Sequence, residues 1–285
     1  MKKFLALILA GVMCMGVTSC GEQAKETENE DKNPKKVVKD NTNKVKDEVV
    51  ESTLFEFEDI KKKGELVVGI TEYEPMDFRG EDGEWTGFDA EFAEAVAEKM
   101  GVNVKFIEID WDNKFLELDS KSIDCIWNGM TITDEVINNT SCSIPYAKNE
   151  QVIVMSKDKV GDYKDLDSVK ELVFAVESGS AAEAAAEEMG LNIVAVKAQT
   201  DTLMEVKSGS TDACIIDATM ADSMIGEGTS YADLAKGIPL TKEEYGIGFR
   251  KGSDLKTVTD GYIKELKEDG TLAGLAEKYS ISLAD

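Results

Sequence analysis

The chain has 285 residues, with 57 Asp and Glu against 32 Lys and Arg, and a formal net charge of −25. Such a balance argues against nucleic acid or an anionic membrane face as a partner, since both repel an acidic body, and strong negative charge also serves solubility. There is no histidine, so the commonest general base and the commonest zinc ligand are missing together, and no metal or cofactor is expected.

The chain opens with Lys2 and Lys3, an apolar run and then small residues. Residues 1–19 therefore read as a secretory signal, too short for a comfortable membrane span. Val17-Thr18-Ser19-Cys20 resembles the lipobox of bacterial lipoproteins, which would make Cys20 the lipid-bearing first residue of the mature chain. More than one acyl chain on that cysteine would suffice for stable attachment to the membrane. Residues 20–52 are rich in Lys, Glu, Asp and Asn and carry no aromatic side chain, so they are expected to form a disordered tether.

About 230 residues remain, enough for two lobes of about a hundred each. Leu66–Ile70 reads as a strand, and Phe88–Met100 as a helix because Phe88, Phe92, Val96 and Met100 recur every four residues before Gly101. A strand over Val102–Ile107, a short helix over Asp112–Leu118 and a third strand over Ile123–Asn128 follow, which together predict a parallel sheet covered by helices. The third strand runs into Asn128 and Gly129, where a ligand can approach the backbone closely, and then Thr131, with a hydroxyl and an N–H to offer. Thr133 before Asp134 and Glu135 is a helix cap with acidic first-turn residues. An ordinary strand-to-helix turn has the same signature.

A second series starts after Pro145-Tyr146 with a strand over Gln151–Met155. It continues with strands at Leu172–Val176, Ile193–Val196 and Ala213–Ile216, alternating with helices at Ser180–Met189, Thr202–Lys207 and Ala218–Ile225. A strand over Tyr245–Phe249, a helix over Leu255–Glu268 and a last helix capped by Thr271 return the chain to its first unit. The expected division is 53–149 with 244–285 as lobe 1 and 150–243 as lobe 2, joined by two crossings that make a hinge and a cleft. Cys14 leaves with the signal, and Cys125, Cys142 and Cys214, odd in number and in apolar settings, read as small core residues.

GELVVGI, Tyr73-Glu74-Pro75-Met76, GEWTGFD, IDWDNKFLELDSKSIDCIWNGMTITDE, Pro145-Tyr146, VESGS and SGSTDACIID occur in an order and spacing that resemble the solute-binding proteins of polar amino acid ABC transporters. The resemblance covers about Phe57–Tyr279 and implies an α/β, two-lobe type II periplasmic-binding fold. It implies aromatic walls at Tyr73 and Trp111, with buried core as the plain alternative. It also implies hydrogen bonds to the ligand from Asn128, Gly129 and Thr131, and a second-lobe turn of Glu177, Gly179, Ser180 and Ala181 at a helix start, where N–H groups favour an anion. Asp217 matches the acid that pairs with an α-ammonium; a helix cap is the other reading.

One position departs from the pattern. The family has T-x-E-R where this chain has Thr133-Asp134-Glu135-Val136, so the arginine that clamps the ligand's carboxylate is absent. Each charge-assisted bond contributes about 1.5 to 3 kcal/mol, so its loss matters. The chain's arginines, Arg79 and Arg250, match positions outside the cleft. Three arrangements answer this: a lysine substitutes, backbone N–H groups suffice, or the ligand is not a standard α-amino acid.

The function implied is a monomeric, lipid-anchored, extracytoplasmic receptor. It would bind an amino acid or related amine-bearing solute and deliver it to the membrane subunits of an ABC permease. Glu72, Glu177 and Asp217 near the expected cleft favour an amine-bearing ligand. A dehydratase-like enzyme on the same fold is the alternative, and would need a placed general acid and a carboxylate-binding arginine; a ligand-sensing domain is a third. Cys20→Ala should shift the protein from the membrane to the soluble fraction with its circular dichroism unchanged. Unaltered fractionation together with an unprocessed signal would contradict the anchor.

Overall fold

The computed structural model describes residues 53–285 and the two-residue strand β1 (Lys39–Asp40). The signal segment, Cys20 and the rest of the tether lie outside the described residues. β1 itself runs alongside a later strand, so those two residues form a strand where the composition predicted only tether.

In chain order follow α1 (Phe57–Lys63), β2 (Glu65–Ile70), β3 (Phe78–Arg79), β4 (Trp85–Thr86), α2 (Phe88–Met100) and β5 (Asn103–Glu108). A 3₁₀ turn at Trp111–Asn113 leads into α3 (Lys114–Asp119), β6 (Cys125–Ile126), α4 (Asp134–Asn139), β7 (Thr140–Cys142) and β8 (Ala147–Asn149). The second series is β9 (Gln151–Ser156), α5 (Lys157–Val160), β10 (Val173–Glu177), α6 (Ala181–Glu188), β11 (Asn192–Val196), α7 (Gln199–Ser208), β12 (Ala213–Asp217) and α8 (Ala218–Met224). The chain closes with β13 (Leu234–Pro239), β14 (Thr241–Tyr245), β15 (Gly248–Arg250), α9 (Leu255–Glu268) and α10 (Thr271–Tyr279).

Two five-stranded sheets carry the two lobes, one in the order β5-β2-β6-β15-β7 and the other β11-β10-β12-β9-β13. Both are mixed rather than parallel. In the first, β2 is parallel to β5 and β6, whereas β15, arriving from the second series, enters antiparallel between β6 and β7. In the second, β10 is parallel to β11 and β12, and β9, arriving from the first series, lies antiparallel to β12 and β13. Helical crossovers impose parallel pairing, but a strand that arrives from the other lobe is free of that constraint.

Other differences from the sequence pattern have local causes. The predicted strand Tyr245–Phe249 is split, because β14 pairs with β8 and β15 with the first sheet. β6 has only two residues, since side chains replace the ladder at both ends: Asp124 Oδ2 accepts the Val67 N–H at 2.9 Å, and Asn128 Oδ1 accepts the Thr71 N–H at 2.7 Å. β13 contains Gly237 and Pro239, which hide it from a propensity reading, and it is tolerated as an edge strand with a register shift. Thr271 does not cap α10 with its side chain. Gly270 occupies the cap with φ +84°, and Thr271 donates its N–H to Asp269 Oδ1 at 2.9 Å.

The four-residue spacing in α2 buries Phe88, Phe92, Val96 and Met100 against β2 and the strand leading into the loop after β6. Phe92 meets Trp127 edge-on with centroids 4.9 Å apart and also packs on Tyr146. Each such side chain contributes about 1.5–3 kcal/mol on burial, which fixes the loop that follows Trp127. Arg250 fastens the opposite end of this sheet. Its guanidinium donates to Glu56 Oε1 at 2.7 Å, Leu118 O at 3.0 Å, Ile123 O at 2.6 Å and Asp124 Oδ1 at 3.2 Å. Arg250→Met should lower stability by about 3–5 kcal/mol, because the buried Asp124 carboxylate, the half-buried Glu56 carboxylate and two carbonyls lose their donor. Urea unfolding should show the midpoint falling with its slope unchanged, and an unaltered midpoint would rule out this role for Arg250.

Candidate functional site

Alternation along three strands brings a polar cluster together where the sheets face each other. Asn149 and Gln151 are two apart, so both point to one side of the chain as it passes from β8 to β9. Register puts Gln151 opposite Asp217 and Asn149 opposite Glu243. In β14 the residues Thr241, Glu243 and Tyr245 are buried while Lys242 between them is exposed, again the period of two.

Asp217 Oδ1 accepts from Asn149 Nδ2 at 2.5 Å, Gln151 Nε2 at 3.1 Å and the Tyr245 hydroxyl at 2.7 Å, and Oδ2 accepts from Gln199 Nε2 at 2.7 Å. Glu243 Oε1 accepts from the same two amides, Asn149 at 2.7 Å and Gln151 at 2.6 Å. The Asp217 side chain makes no bond that caps α8, so the helix-cap reading of it fails. Gln199 Oε1, buried, has no partner in this cluster.

A cavity of about 340 Å³ lies over the cluster, within the range of small-molecule sites. Tyr73, Trp111, Asn128, Gly129 and Thr131 line it from one lobe, and Glu177, Gly179, Ser180, Ala181 and Asp217 from the other. Tyr73 and Trp111 are buried, and the Tyr73 hydroxyl lies 2.6 Å from that of Tyr245. Glu72 is exposed and does not line the cavity, because Thr71 and Tyr73 on either side of it face inward. The acid beside Asp217 and Glu177 is Glu243 instead, and Asp134, Glu135 and Glu188 also line the cavity.

Several of the hydrogen-bonding groups that the sequence suggested for a ligand are engaged within the protein. Asn128 is spent on Thr71, with Oδ1 accepting its N–H and Nδ2 donating to its hydroxyl at 2.8 Å. The Gly129 N–H donates to Asp89 Oδ2 at 2.6 Å, and glycine is required there because φ is +55° and a Cβ would come 2.6 Å from the Tyr73 ring. That close approach is therefore to Tyr73 and not to a ligand. Ser180 caps α6 by accepting the Glu183 N–H at 3.1 Å, and Glu183 Oε2 accepts the Gly179 N–H at 2.7 Å, a reciprocal capping pair. Gly179 is also where the lobes touch: a Cβ on it would lie 2.9 Å from Asp112 Cα.

Lys114, which the sequence reading passed over, joins the lobes at this point. It begins α3, and its Nζ donates to Gly179 O at 2.7 Å and, more weakly, to Trp111 O at 3.4 Å. Nothing in WDNKFLELDS distinguishes it from a solvated lysine; only the turn of chain at Trp111–Asn113 directs it inward.

The electrostatics are one-sided. Burial pushes Glu177 up to about 8, with the Asp217 charge adding to the shift and the Gln199 N–H and Lys114 opposing it. Glu243 is pushed up to about 8 by burial and then by Asp217, against hydrogen bonds from Gln151, Asn149 and Thr131. Burial also raises Asp217, and its hydrogen bonds from Tyr245, Gln199 and Gln151 act the other way. Behind the loop, burial raises Asp89 to about 7 and raises its neighbour Asp77 well above the carboxylate range. The cleft is thus built to receive positive charge at the Asp217 end.

Residues 66–282 match the family model of bacterial extracellular solute-binding proteins, family 3. The chain is 32% identical over 228 residues to the L-cystine-binding protein TcyJ of Escherichia coli strain K12, covering 77% of this chain and 84% of that one. It is 28% identical over 288 residues to the arginine-binding extracellular protein ArtP of Bacillus subtilis, covering 98% of each. A crystal structure of a mutant of ArgBP from T. maritima has the same fold, with a TM-score of 0.73 at 32% identity over 78% of this chain and 98% of that one. With two α/β lobes facing one another across a small polar cavity and the family model matched over most of its length, the chain belongs to the bacterial extracellular solute-binding proteins of family 3.

Proposed function

We propose that this protein is the solute receptor of an ABC importer, held outside the cell membrane by a lipid on Cys20 and acting as a monomer. In this reading it closes on an amino acid or a related amine-bearing solute and hands it to the permease subunits. The family and these relatives are solute-binding proteins rather than enzymes. The relatives are named for cystine and arginine, both of which carry an α-ammonium and an α-carboxylate.

The observation that carries the reading is the acidic end of the cavity, where Asp217 projects from the end of β12 and Glu177 from the end of β10, beside Glu243. Ligands of open α/β sheets lie beyond such strand ends. Asp217 and the unpartnered Gln199 Oε1 take the solute's ammonium, with Tyr73 and Trp111 as walls and Thr131, Glu177, Ser180 and Ala181 completing the surround. Asn128, Gly129 and Gly179 act mainly as framework, holding the loops that face the solute. Residues 53–149 with 244–285 form one lobe and 150–243 the other, hinged on the paired strands β8 and β14.

A thermal-shift panel of amino acids and amines tests this, since a ligand that binds the folded state raises the melting temperature. For any hit, Asp217→Asn should weaken binding by about 2 to 5 kcal/mol, as the ligand's buried charge loses its counter-ion. The isosteric amide can keep its neighbours if the Gln199 amide turns over, so folding should survive. Calorimetry showing equal affinity in wild type and variant would refute the assignment of Asp217.

The raised carboxylates also set a pH dependence. Glu177 and Glu243 near 8 and Asp89 near 7 bind more protons in the folded than in the unfolded state from about pH 4 upward. Their contribution is complete below the unfolded values and is lost as pH rises through 7 and 8. The ligand-free melting temperature should therefore fall between pH 5 and pH 9, and a rise across that interval would contradict the burial of these acids.

A further inference from the structure

We propose that Lys114 binds the carboxylate of the solute, in place of the arginine that the family's pattern puts at position 136. The inference rests on the cleft being the solute site. It selects among the three ways of managing without that arginine.

Val136 is buried at the edge of the cavity on α4 and offers no charge. Backbone N–H groups carry no full charge, and five of those in the two loops are already committed. Gly129 donates to Asp89, Gly179 to Glu183, Ser180 to Glu177 O at 3.2 Å, Ile132 to Glu244 O at 2.9 Å and Thr133 to Thr131 O at 3.0 Å. A solute with no carboxylate would bring no anion to the Lys114 ammonium at the cavity wall.

Lys114 is only 4% exposed, and among the described residues it is the one cation lining the cavity. Among the described residues no carboxylate pairs with it. Its two acceptors are neutral carbonyls, one of them at 3.4 Å, and an ammonium has three N–H groups to place. The rings of Trp111 and Phe115, with centroids 5.1 and 4.7 Å from Nζ, compensate the charge in part. A buried ammonium with no carboxylate in contact is incompletely compensated, and such a group facing a ligand cavity suits an anion. With Glu177, Asp217, Glu243 and Gln199 Oε1 also lining or bordering the same cavity, an α-amino acid has a partner for each of its two charges. Burial draws the Lys114 pKa down, and Glu135, Glu177, Asp112 and Glu183 act against that shift.

Three matched pairs test the inference by calorimetry: L-arginine and agmatine, L-histidine and histamine, L-cystine and cystamine, with the twenty protein amino acids as a wider panel. Wild type should bind at least one amino acid tenfold or more tightly than its decarboxylated partner. Lys114→Met should reduce that preference to within about threefold, and Lys114→Gln, which keeps a donor for Gly179 O but no charge, should do the same. Lys114→Arg should retain the preference, and adding Val136→Arg to Lys114→Met should restore it. Equal or tighter binding of the amines by wild type, or an undiminished preference in Lys114→Met and Lys114→Gln, overturns the role of Lys114. In those cases loss of all binding in Asp217→Asn still upholds the cleft as the site. If no amino acid binds, Lys114 is overturned, and if the amines fail as well the reading of the cleft falls with it.

Discussion

Two buried carboxyl groups share the same donors at the junction of the lobes, and the organisation of the cleft follows from that arrangement. Asp217 and Glu243 are bridged twice, by the amide of Asn149 and by that of Gln151, while Tyr245 and Gln199 satisfy the remaining oxygen positions of Asp217. Neutral amides orient the two acids without supplying a positive charge between them. The site is therefore both preorganised and electrostatically incomplete. Asn149, Gln151, Glu243 and Tyr245 lie on the strands that cross between the sheets, so the groups that hold Asp217 in place belong to the segments that join the two lobes.

Much of the architecture was legible because it is carried by apolar periodicity. The four-residue repeat of Phe88, Phe92, Val96 and Met100 gave α2 to the residue, and the apolar runs marked β2, β9, β10 and β12 to within a residue at either end. The pairing of the crossing strands was not legible, since antiparallel insertion of β9 and β15 depends on where the chain comes from rather than on composition. β14 reads Thr-Lys-Glu-Glu-Tyr, a solvated stretch by any hydropathy rule, yet its alternate residues are buried in the cluster. Buried polar residues look like surface in a sequence. That is why Asn149, Gln151, Gln199, Glu243 and Lys114 were missed while Asp217, at the end of an apolar strand, was found.

The candidate loops show a related limit. A motif records which residue types stand at a position, but not which of their hydrogen-bonding groups are spent. Asn128, Gly129 and Gly179 line the cavity with their donors directed into Thr71, Asp89 and Glu183. These bonds stiffen the loops, and a rigid surround lowers the entropic cost of holding a small ligand. Their contribution is to the shape of the site, and its charge comes from elsewhere.

The three cysteines bear on a different property. Cys125 and Cys142 belong to the first sheet and Cys214 to the second, all free and buried, with burial raising Cys142 and Cys214 to about 12 and Cys125 well above the usual thiol range. Thiolate is the reactive form, so in the folded state these sulfurs are chemically silent towards oxidants and disulfides. They become reactive only when the sheet around them opens. The chain thereby carries a separate thiol clock in each lobe, whose rates of alkylation measure the local unfolding free energy of one sheet independently of the other.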